Sequence, residues 1–360
     1  MKTFNDLKND YYGKKVLITG HTGFKGSWLS VVLKSLGAEV IGISIDCKTD
    51  RGPYISCDMK RHLLKDLRLD ICNKDLIKDL ITSAKPDFIF HLAAQALVST
   101  SYVDPVQTIL TNSIGTLNIL DSIKYLSTKT VVVIVTSDKC YENVETFYGY
   151  KETDALGGKD PYSASKACAE IISNCYIRSI LNKNENINIA TARAGNVIGG
   201  GDWSKDRLIP DAVNHWEKNM ILKLRNPDST RPWQHVLEPI SGYLELGAYL
   251  NNNYINNQEL GGNSFNFGPK QIDTISVANV IKIFSKYWDN SKYEIGNETL
   301  FQEAGLLNLC CDKSTRILGW EPRLRINDAL LITSQWYKEQ LINSDMFDFT
   351  VKQSLNYLSL

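Results

Sequence analysis

Lys14-Lys15-Val16-Leu17-Ile18-Thr19-Gly20-His21-Thr22-Gly23-Phe24-Lys25-Gly26-Ser27-Trp28 is the stretch on which the fold turns. Residues 14–19 read as a short apolar strand. Gly20, Gly23 and Gly26 follow at once. Ser27 is then placed to cap a helix whose apolar positions are Trp28, Leu29, Val31, Val32 and Leu36. Gly37 stands where a left-handed glycine ends such a helix. Residues 38–45 form the next strand, which runs into Asp46. A GxxGxxG run alone carries little information. Between a strand and a helix, with an acidic residue about twenty positions beyond, it has the context of a dinucleotide fingerprint. Glycines let the backbone approach a pyrophosphate, and the helix N-terminus offers free N–H groups and a positive dipole end. Asp46 would accept from a ribose hydroxyl and repel a 2′-phosphate, which favours NAD over NADP. Phe24 and Lys25 lie inside the turn; Lys25 either meets the cofactor phosphates or faces water.

The same alternation continues outward. Asn73 caps a helix that carries Leu76, Ile77, Leu80 and Ile81 and stops at Pro86. Residues 87–93 are a strand, 104–126 a long helix, 131–135 a strand, 162–181 a helix and 187–192 a strand. Repeated β and α elements imply a Rossmann-type, doubly wound parallel sheet with helices on both faces. Residues 1–13 read as a polar lead-in. After Arg193 the pattern breaks into a glycine-rich run and short pieces, the mark of a smaller α/β substrate domain interleaved with the first. The expected division is 1–193 plus 233–270 for the NAD-binding domain and 194–232 plus 271–360 for the other.

Bulk composition narrows the class. The 360 residues carry 40 basic and 40 acidic side chains. That balance gives no footprint for nucleic acid or an anionic membrane. No apolar run approaches the ~20 residues of a membrane span, and the charged N-terminus is no signal peptide. The cysteines lack a CxxC pair and the histidines lack ligand spacing, so free thiols, a cytoplasmic setting and no metal are expected. His21 and His91 read as packing or hydrogen-bonding residues, and Cys140 as a small apolar filler.

Chemistry concentrates in two places. Thr136-Ser137-Asp138-Lys139 ends the 131–135 strand, and Tyr162-Ser-Ala-Ser-Lys166 opens a helix with Tyr162 and Lys166 on one face. An ammonium beside a phenol favours phenolate, so the Tyr162 pKa is expected to fall from ~10 toward working pH. Asp138 and Lys139 add a second acid/base pair, or form an ordinary ion pair.

Together, residues 19–26, His91-Leu-Ala-Ala94, 136–139 and the Tyr162/Lys166 pair resemble the extended short-chain dehydrogenase/reductase superfamily. Residues 20–28, 137–141, 195–203 and Arg231-Pro-Trp-Gln-His-Val236 resemble its sugar-nucleotide dehydratases, the CDP-glucose 4,6-dehydratases most of all. The resemblance spans about residues 13–337. It implies that Gly20, Gly23 and Gly26 form the cofactor turn and Asp46 holds the adenosine ribose. Asp70 and Ile71 would flank the adenine, and Ala93 and Ala94 would line the cofactor. Tyr162 and Lys166 would be the active pair, with Ser137 on the reacting hydroxyl. Asn196, Arg207 and Arg231 would hold the sugar nucleotide. It also implies a homodimer or homotetramer, built on helices 104–126 and 162–182. The product would be a deoxysugar precursor of bacterial surface polysaccharide, such as the O-antigen of lipopolysaccharide.

The implied reaction converts CDP-glucose to CDP-4-keto-6-deoxyglucose and water. Tyr162 serves oxidation at C4. Elimination then needs two further groups, Asp138 as acid toward the 6-hydroxyl and Lys139 as base at C5. A lysine is ordinarily protonated at neutral pH, so Lys139 needs desolvation or a neighbouring cation to act so. Rival readings are a dehydratase of another nucleoside diphosphate sugar, an epimerase, and a non-catalytic NAD-sensing protein. An epimerase has no use for Asp138-Lys139, and a sensor has none for an intact Tyr162/Lys166 pair.

Overall fold

The computed structural model describes all residues except 48, 147, 254–262 and 297–305. Its centre is a seven-stranded parallel sheet: β1 Lys15–Thr19, β2 Glu39–Ser44, β3 Lys65–Arg68, β4 Phe88–His91, β5 Thr130–Val135, β6 Ile187–Ala194 and β7 Ser264–Phe267. The strand order is β7-β6-β5-β4-β1-β2-β3, with every pairing parallel. The chain runs outward from β1 in one direction and resumes at β4 on the other side. The crevice at that reversal is where an open α/β sheet binds its ligand.

Burial on both faces explains the unbroken apolar strands. Val131, Val133 and Val135 pack with Val16, Ile18, Phe88 and Phe90 on one face. Val132 and Ile134 pack with Leu17, Ile89, Ile119 and Leu120 on the other. α1 Phe4–Tyr11 precedes β1; between the strands lie α2 Phe24–Ser35, α3 Lys74–Ala84, α4 Gly115–Ile123, α5 Pro161–Cys175 and, after β6, α6 Leu208–Glu217 and α7 Leu237–Asn252. Short strands outside the sheet pair 230–232 with 274–276 and 222–224 with 293–295. The chain closes with α8 Ile326–Ile342 and α9 Phe347–Leu358.

Several sequence expectations change. The polar lead-in contains α1, opened by a Thr3–Asp6 capping box, and Leu7 and Tyr11 lie one turn apart, both buried. Ser27 does not cap α2. That helix begins at Phe24 with Gly23 as its cap residue, and the Ser27 hydroxyl donates to Gly23 O at 2.8 Å. The earlier start depends on Gly26, whose Cβ would fall 2.1 Å from Gly20 O. The long helix expected over 104–126 runs unbroken from 105 to 123, with one wide π-helical turn over Leu110–Ile114 between Pro105–Ile109 and α4. In the wide turn Asn112 accepts from Gln95 N at 2.8 Å and donates to Ser165 Oγ at 2.8 Å. It thereby ties the segment after β4 to α5.

Candidate active site

Nearly all the site residues read from the sequence stand just past the C-terminal ends of successive strands. Gly20 follows β1, Asp46 β2, Asp70 β3, Ala93 and Ala94 β4, Ser137 to Lys139 β5 and Asn196 β6. A parallel sheet aims all those ends the same way, so residues far apart in sequence share one rim.

Gly20 makes the turn at φ +77, and a Cβ there would sit 2.8 Å from the Ala93 backbone. Thr19 locks the same junction. Its hydroxyl accepts from Leu92 N at 3.1 Å and Ala93 N at 3.0 Å, which leaves its proton for His91 Nδ1 at 2.7 Å. His91 Nε2–H then donates to Thr116 Oγ1 at 3.0 Å. Burial holds the imidazole down to about 3, so His91 is a neutral structural residue. His21 is buried too and reaches Asp66 at 2.7 Å. Cys140 is buried and burial drives its thiol pKa well up, as suits a filler.

The glycine turn suits a dinucleotide. Gly23 brings no side-chain hydrogen bond to the start of α2, so the first N–H groups of the helix are left for an anion. Asp46 is exposed at the end of β2; its Oδ1 accepts from Cys47 N at 2.7 Å and its carbonyl from Thr22 Oγ1 at 2.9 Å. Asp70 is exposed. The side chain of Ile71 turns the other way, into the core against Gly115. Only its backbone stays at the rim.

Around β5 the chemistry converges. Ser137 caps a single turn of 3₁₀ helix, Asp138–Cys140, accepting from Lys139 N at 3.3 Å. Its hydroxyl donates to Asp138 Oδ1 at 2.9 Å. Asp138 is buried and its Oδ2 meets no hydrogen-bond partner. Burial raises its carboxyl above the usual range, against the pull of Lys139, Ser137 and Lys25. Asp138 therefore bonds to Ser137 rather than closing an ion pair with its neighbour. Lys139 is half-buried on the same turn.

Across from the turn, Asp160 caps α5 and delivers Tyr162 and Lys166 to one face, both buried. The expected drop in the phenol pKa is not found. Burial pushes Tyr162 up to about 12, while Ser137 and Arg207 pull it back only in part. Lys166 is held down to about 8, again by burial, and its ammonium lies 3.4 Å from Val135 O. Desolvation of the phenolate outweighs the nearby cation.

Lys25 resolves toward the inside. Burial, then the neighbouring Arg207, lower it to about 8, with Asp138, Lys166 and Asp202 also within its field. Arg207 precedes α6 and pairs with Asp202 at 2.8 Å, a partner that sequence reading missed. The Asp202 carbonyl in turn accepts from Tyr337 OH at 2.5 Å. Arg231 is buried on the 230–232 strand. That strand approaches the catalytic turn at Gly195, whose Cβ would lie 3.0 Å from Asp138 Oδ2 and 3.3 Å from Pro232. Asn196 follows, half-buried, its carbonyl accepting from Gln234 N at 3.2 Å. Among the described residues no group of three or more His, Cys, Asp or Glu is placed to hold a metal.

The chain matches the family described as GDP-mannose 4,6 dehydratase over residues 17–332. It is 39% identical over 358 residues to the CDP-glucose 4,6-dehydratase of Salmonella typhimurium, covering 98% of each chain. Among solved structures, UDP-glucose 4-epimerase of Thermotoga maritima with UDP-glucose matches with a TM-score of 0.76 at 20% identity, over 91% of this chain and 99% of that one. UDP-glucuronic acid 4-epimerase of Bacillus cereus, in complex with UDP-glucuronic acid and NAD, matches at 0.72 and 21%, with coverage of 91% and 99%. At those identities the two structures speak for the fold. The family match and the full-length relative go further: the chain belongs to the GDP-mannose 4,6 dehydratase family.

Proposed function

We propose that this chain is an NAD-dependent CDP-glucose 4,6-dehydratase, a lyase that forms CDP-4-keto-6-deoxyglucose and water. The observation that carries the reading is the Asp138-Lys139 turn beside Tyr162 and Lys166. That is a second acid/base set next to an oxidising pair, and epimerisation has no step for it. The cytidine nucleotide rests on the full-length relative.

The glycine turn, Phe24, Lys25, Asp46, the backbone at Asp70 and Ile71, and Ala93 and Ala94 would hold NAD, with Tyr162 and Lys166 at its reactive end. NAD, when bound, supplies the acceptor for the C4 hydride and its return to C6. Tyr162 accepts the proton of the 4-hydroxyl only as phenolate, the form that burial disfavours and that Ser137 and Arg207 favour, with Ser137 orienting that hydroxyl. The C4 ketone makes the C5–H acidic. Lys139 takes that proton from the turn beside the sugar and returns it to C5 when C6 receives its hydride. Asp138 keeps its own proton more readily than an exposed carboxyl does and gives it to the 6-hydroxyl, which leaves as water. Asn196, Arg207 and Arg231 hold the nucleotide diphosphate.

The division of the chain into a dinucleotide part (1–193 plus 233–270) and a sugar-nucleotide part (194–232 plus 271–360) belongs to the same reading. So does a homo-oligomer. Val103, Val106, Ile109, Leu110 and Ile114 on the helices after β4, and Ile171 and Ile180 on and just after α5, form an exposed apolar face of the kind that marks a protein interface. No helix among the described residues is long and apolar enough to cross a membrane. We place the enzyme in the cytoplasm, where it would supply a deoxysugar pathway for surface polysaccharide.

The deciding experiment offers CDP-glucose, UDP-glucose, dTDP-glucose and GDP-mannose separately and follows the 4-keto product. Product from CDP-glucose is expected. Turnover of another sugar nucleotide, with none of CDP-glucose, refutes the cytidine assignment.

A further inference from the structure

One helical turn beyond Lys166, on the same face of α5, Glu170 is completely buried. Its Oε1 accepts from Thr136 Oγ1 at 2.5 Å. Its Oε2 accepts from Arg193 Nη2 at 2.8 Å, Thr191 Oγ1 at 2.8 Å and Ser264 Oγ at 3.1 Å. Arg193, at the end of β6, is 1% exposed. Its Nη1 donates to Tyr141 OH at 2.8 Å and to Glu152 O at 3.2 Å, and Tyr141 OH passes its proton on to Asn266 Oδ1 at 2.8 Å.

The placement of these contacts matters more than their number. Thr136 is the residue before Ser137, and Tyr141 is the cap residue that follows the 3₁₀ turn. Both ends of the turn carrying Ser137, Asp138 and Lys139 are therefore tied to one ion pair. The carboxylate of that pair sits on the helix that carries Tyr162 and Lys166. An ion pair this deep adds little net stability over an apolar pair of like volume, so its stability alone is a weak reason for it.

We propose that Glu170 and Arg193 are positioning residues for the dehydration: together they fix the Ser137–Lys139 turn at its working distance from Tyr162 and Lys166. The inference rests on the dehydratase reading. A misplacement of about 1 Å at a reacting centre costs about 10²-fold in rate, so loosening one tether has a measurable effect. The Glu170 carboxylate also opposes the effect of burial on the Lys166 ammonium.

Thr136→Val and Tyr141→Phe each cut one tether without leaving a buried charge unpaired. With CDP-glucose, each is expected to lower kcat at least tenfold with KM within twofold of wild type. Arg193→Lys keeps the charge but loses the fork to Tyr141, and should fall like Tyr141→Phe. If Arg193→Lys does not fold, the two neutral variants carry the test. Folded variants with wild-type kcat and only a lower Tm overturn the proposal. A readout free of substrate separates it from the function reading: amide hydrogen exchange of residues 137–141. In Thr136→Val and Tyr141→Phe these amides should lose protection relative to β5; unchanged protection overturns the proposal even if CDP-glucose proves not to be the substrate. Wild type inert toward CDP-glucose refutes the function reading instead.

Discussion

Replacing Asp138 by Asn tests the mechanism at the point where chemistry and stability separate. The Asn side chain matches the carboxylate in shape. Its oxygen can still accept from Ser137, whose hydroxyl donates to Asp138 Oδ1 at 2.9 Å. Its amide nitrogen then occupies the place of Oδ2, which already meets no partner. An unsatisfied buried donor costs about 1–3 kcal/mol, but D138N exchanges one orphan for another, so folding stability should change by no more than about 1 kcal/mol. Turnover should respond differently. Loss of a general acid lowers a rate by about 10²–10⁴-fold, or about 2.7–5.4 kcal/mol of barrier. The two partial reactions can be followed separately in stopped flow. Oxidation at C4 does not use Asp138, so D138N mixed with CDP-glucose should develop the absorbance of reduced nicotinamide. That signal should persist while 4-keto-6-deoxy product fails to appear. Turnover within threefold of wild type would remove Asp138 as the acid. A folded D138N that never develops the absorbance would move Asp138 into the first step.

Other expectations follow from the same geometry. Lys139→Ala should also stall after C4 oxidation, with persistent reduced nicotinamide in single-turnover absorbance; wild-type turnover would take Lys139 out of the mechanism. Asp46→Ala should narrow the preference for NAD over NADP at least tenfold in equilibrium binding, and equal affinity of wild type for both would contradict the ribose contact. Lys25 and Lys166 release protons near pH 8 when folded but near 10.5 when unfolded. The unfolded chain thus binds more protons in between, and stability rises with pH from 8 to 10 by on the order of 2–3 kcal/mol per lysine. In urea unfolding, Lys166→Met should lose about that much of the rise. Val106→Asp should shift sedimentation toward monomer; an unchanged oligomer would clear the 103–114 face of that role.

What could be read from the sequence was what local pattern controls. The glycine turn, the buried central strands and the Tyr162/Lys166 spacing each depend on residues within a few positions of one another. β3 escaped because it is an edge strand. Lys65 and Arg68 face solvent there, so Lys65-Asp-Leu-Arg68 lacks the apolar run that marks β5. α1 was legible in principle, since Thr3 and Asp6 have capping-box spacing and Leu7 and Tyr11 lie one turn apart. The polar residues between them hid the stripe. The Tyr162 pKa failed for a deeper reason. Spacing placed Lys166 on the same helical face, but the cost of burying phenolate comes from the elements that enclose Tyr162, and the partial relief from Arg207, neither of them visible from a four-residue interval. Glu170 stands at the next step of that same interval, and its meaning depends on Arg193, which only the fold brings near.

The electrostatics of the cleft separate binding from chemistry. Lys25 and Lys166 are both lowered to about 8 and Asp138 is raised, all with burial as the first cause. For Lys25 the second cause is Arg207, a cation that carries its own partner in Asp202. At neutral pH the cleft therefore holds Lys25, Lys166 and Arg207 against Asp202, with Asp138 drawn toward its neutral form. That excess of positive charge in a desolvated space suits a diphosphate. A diphosphate keeps its charge through the reaction, however, so a cation that meets only the diphosphate, as Arg207 would, binds ground and transition states alike and contributes affinity rather than rate. What changes along the reaction are the protons at the 4-hydroxyl, at C5 and at the 6-hydroxyl. Those positions answer to Tyr162, Lys139 and Asp138, on α5 and one short turn that the Glu170–Arg193 pair ties together. A site that bound with the same residues it reacted with would have to relax its hold as protons moved. In the proposed reading the sugar nucleotide would be held beside α6 and from the 230–232 strand, and the reacting groups would be left to the junction between β5 and α5.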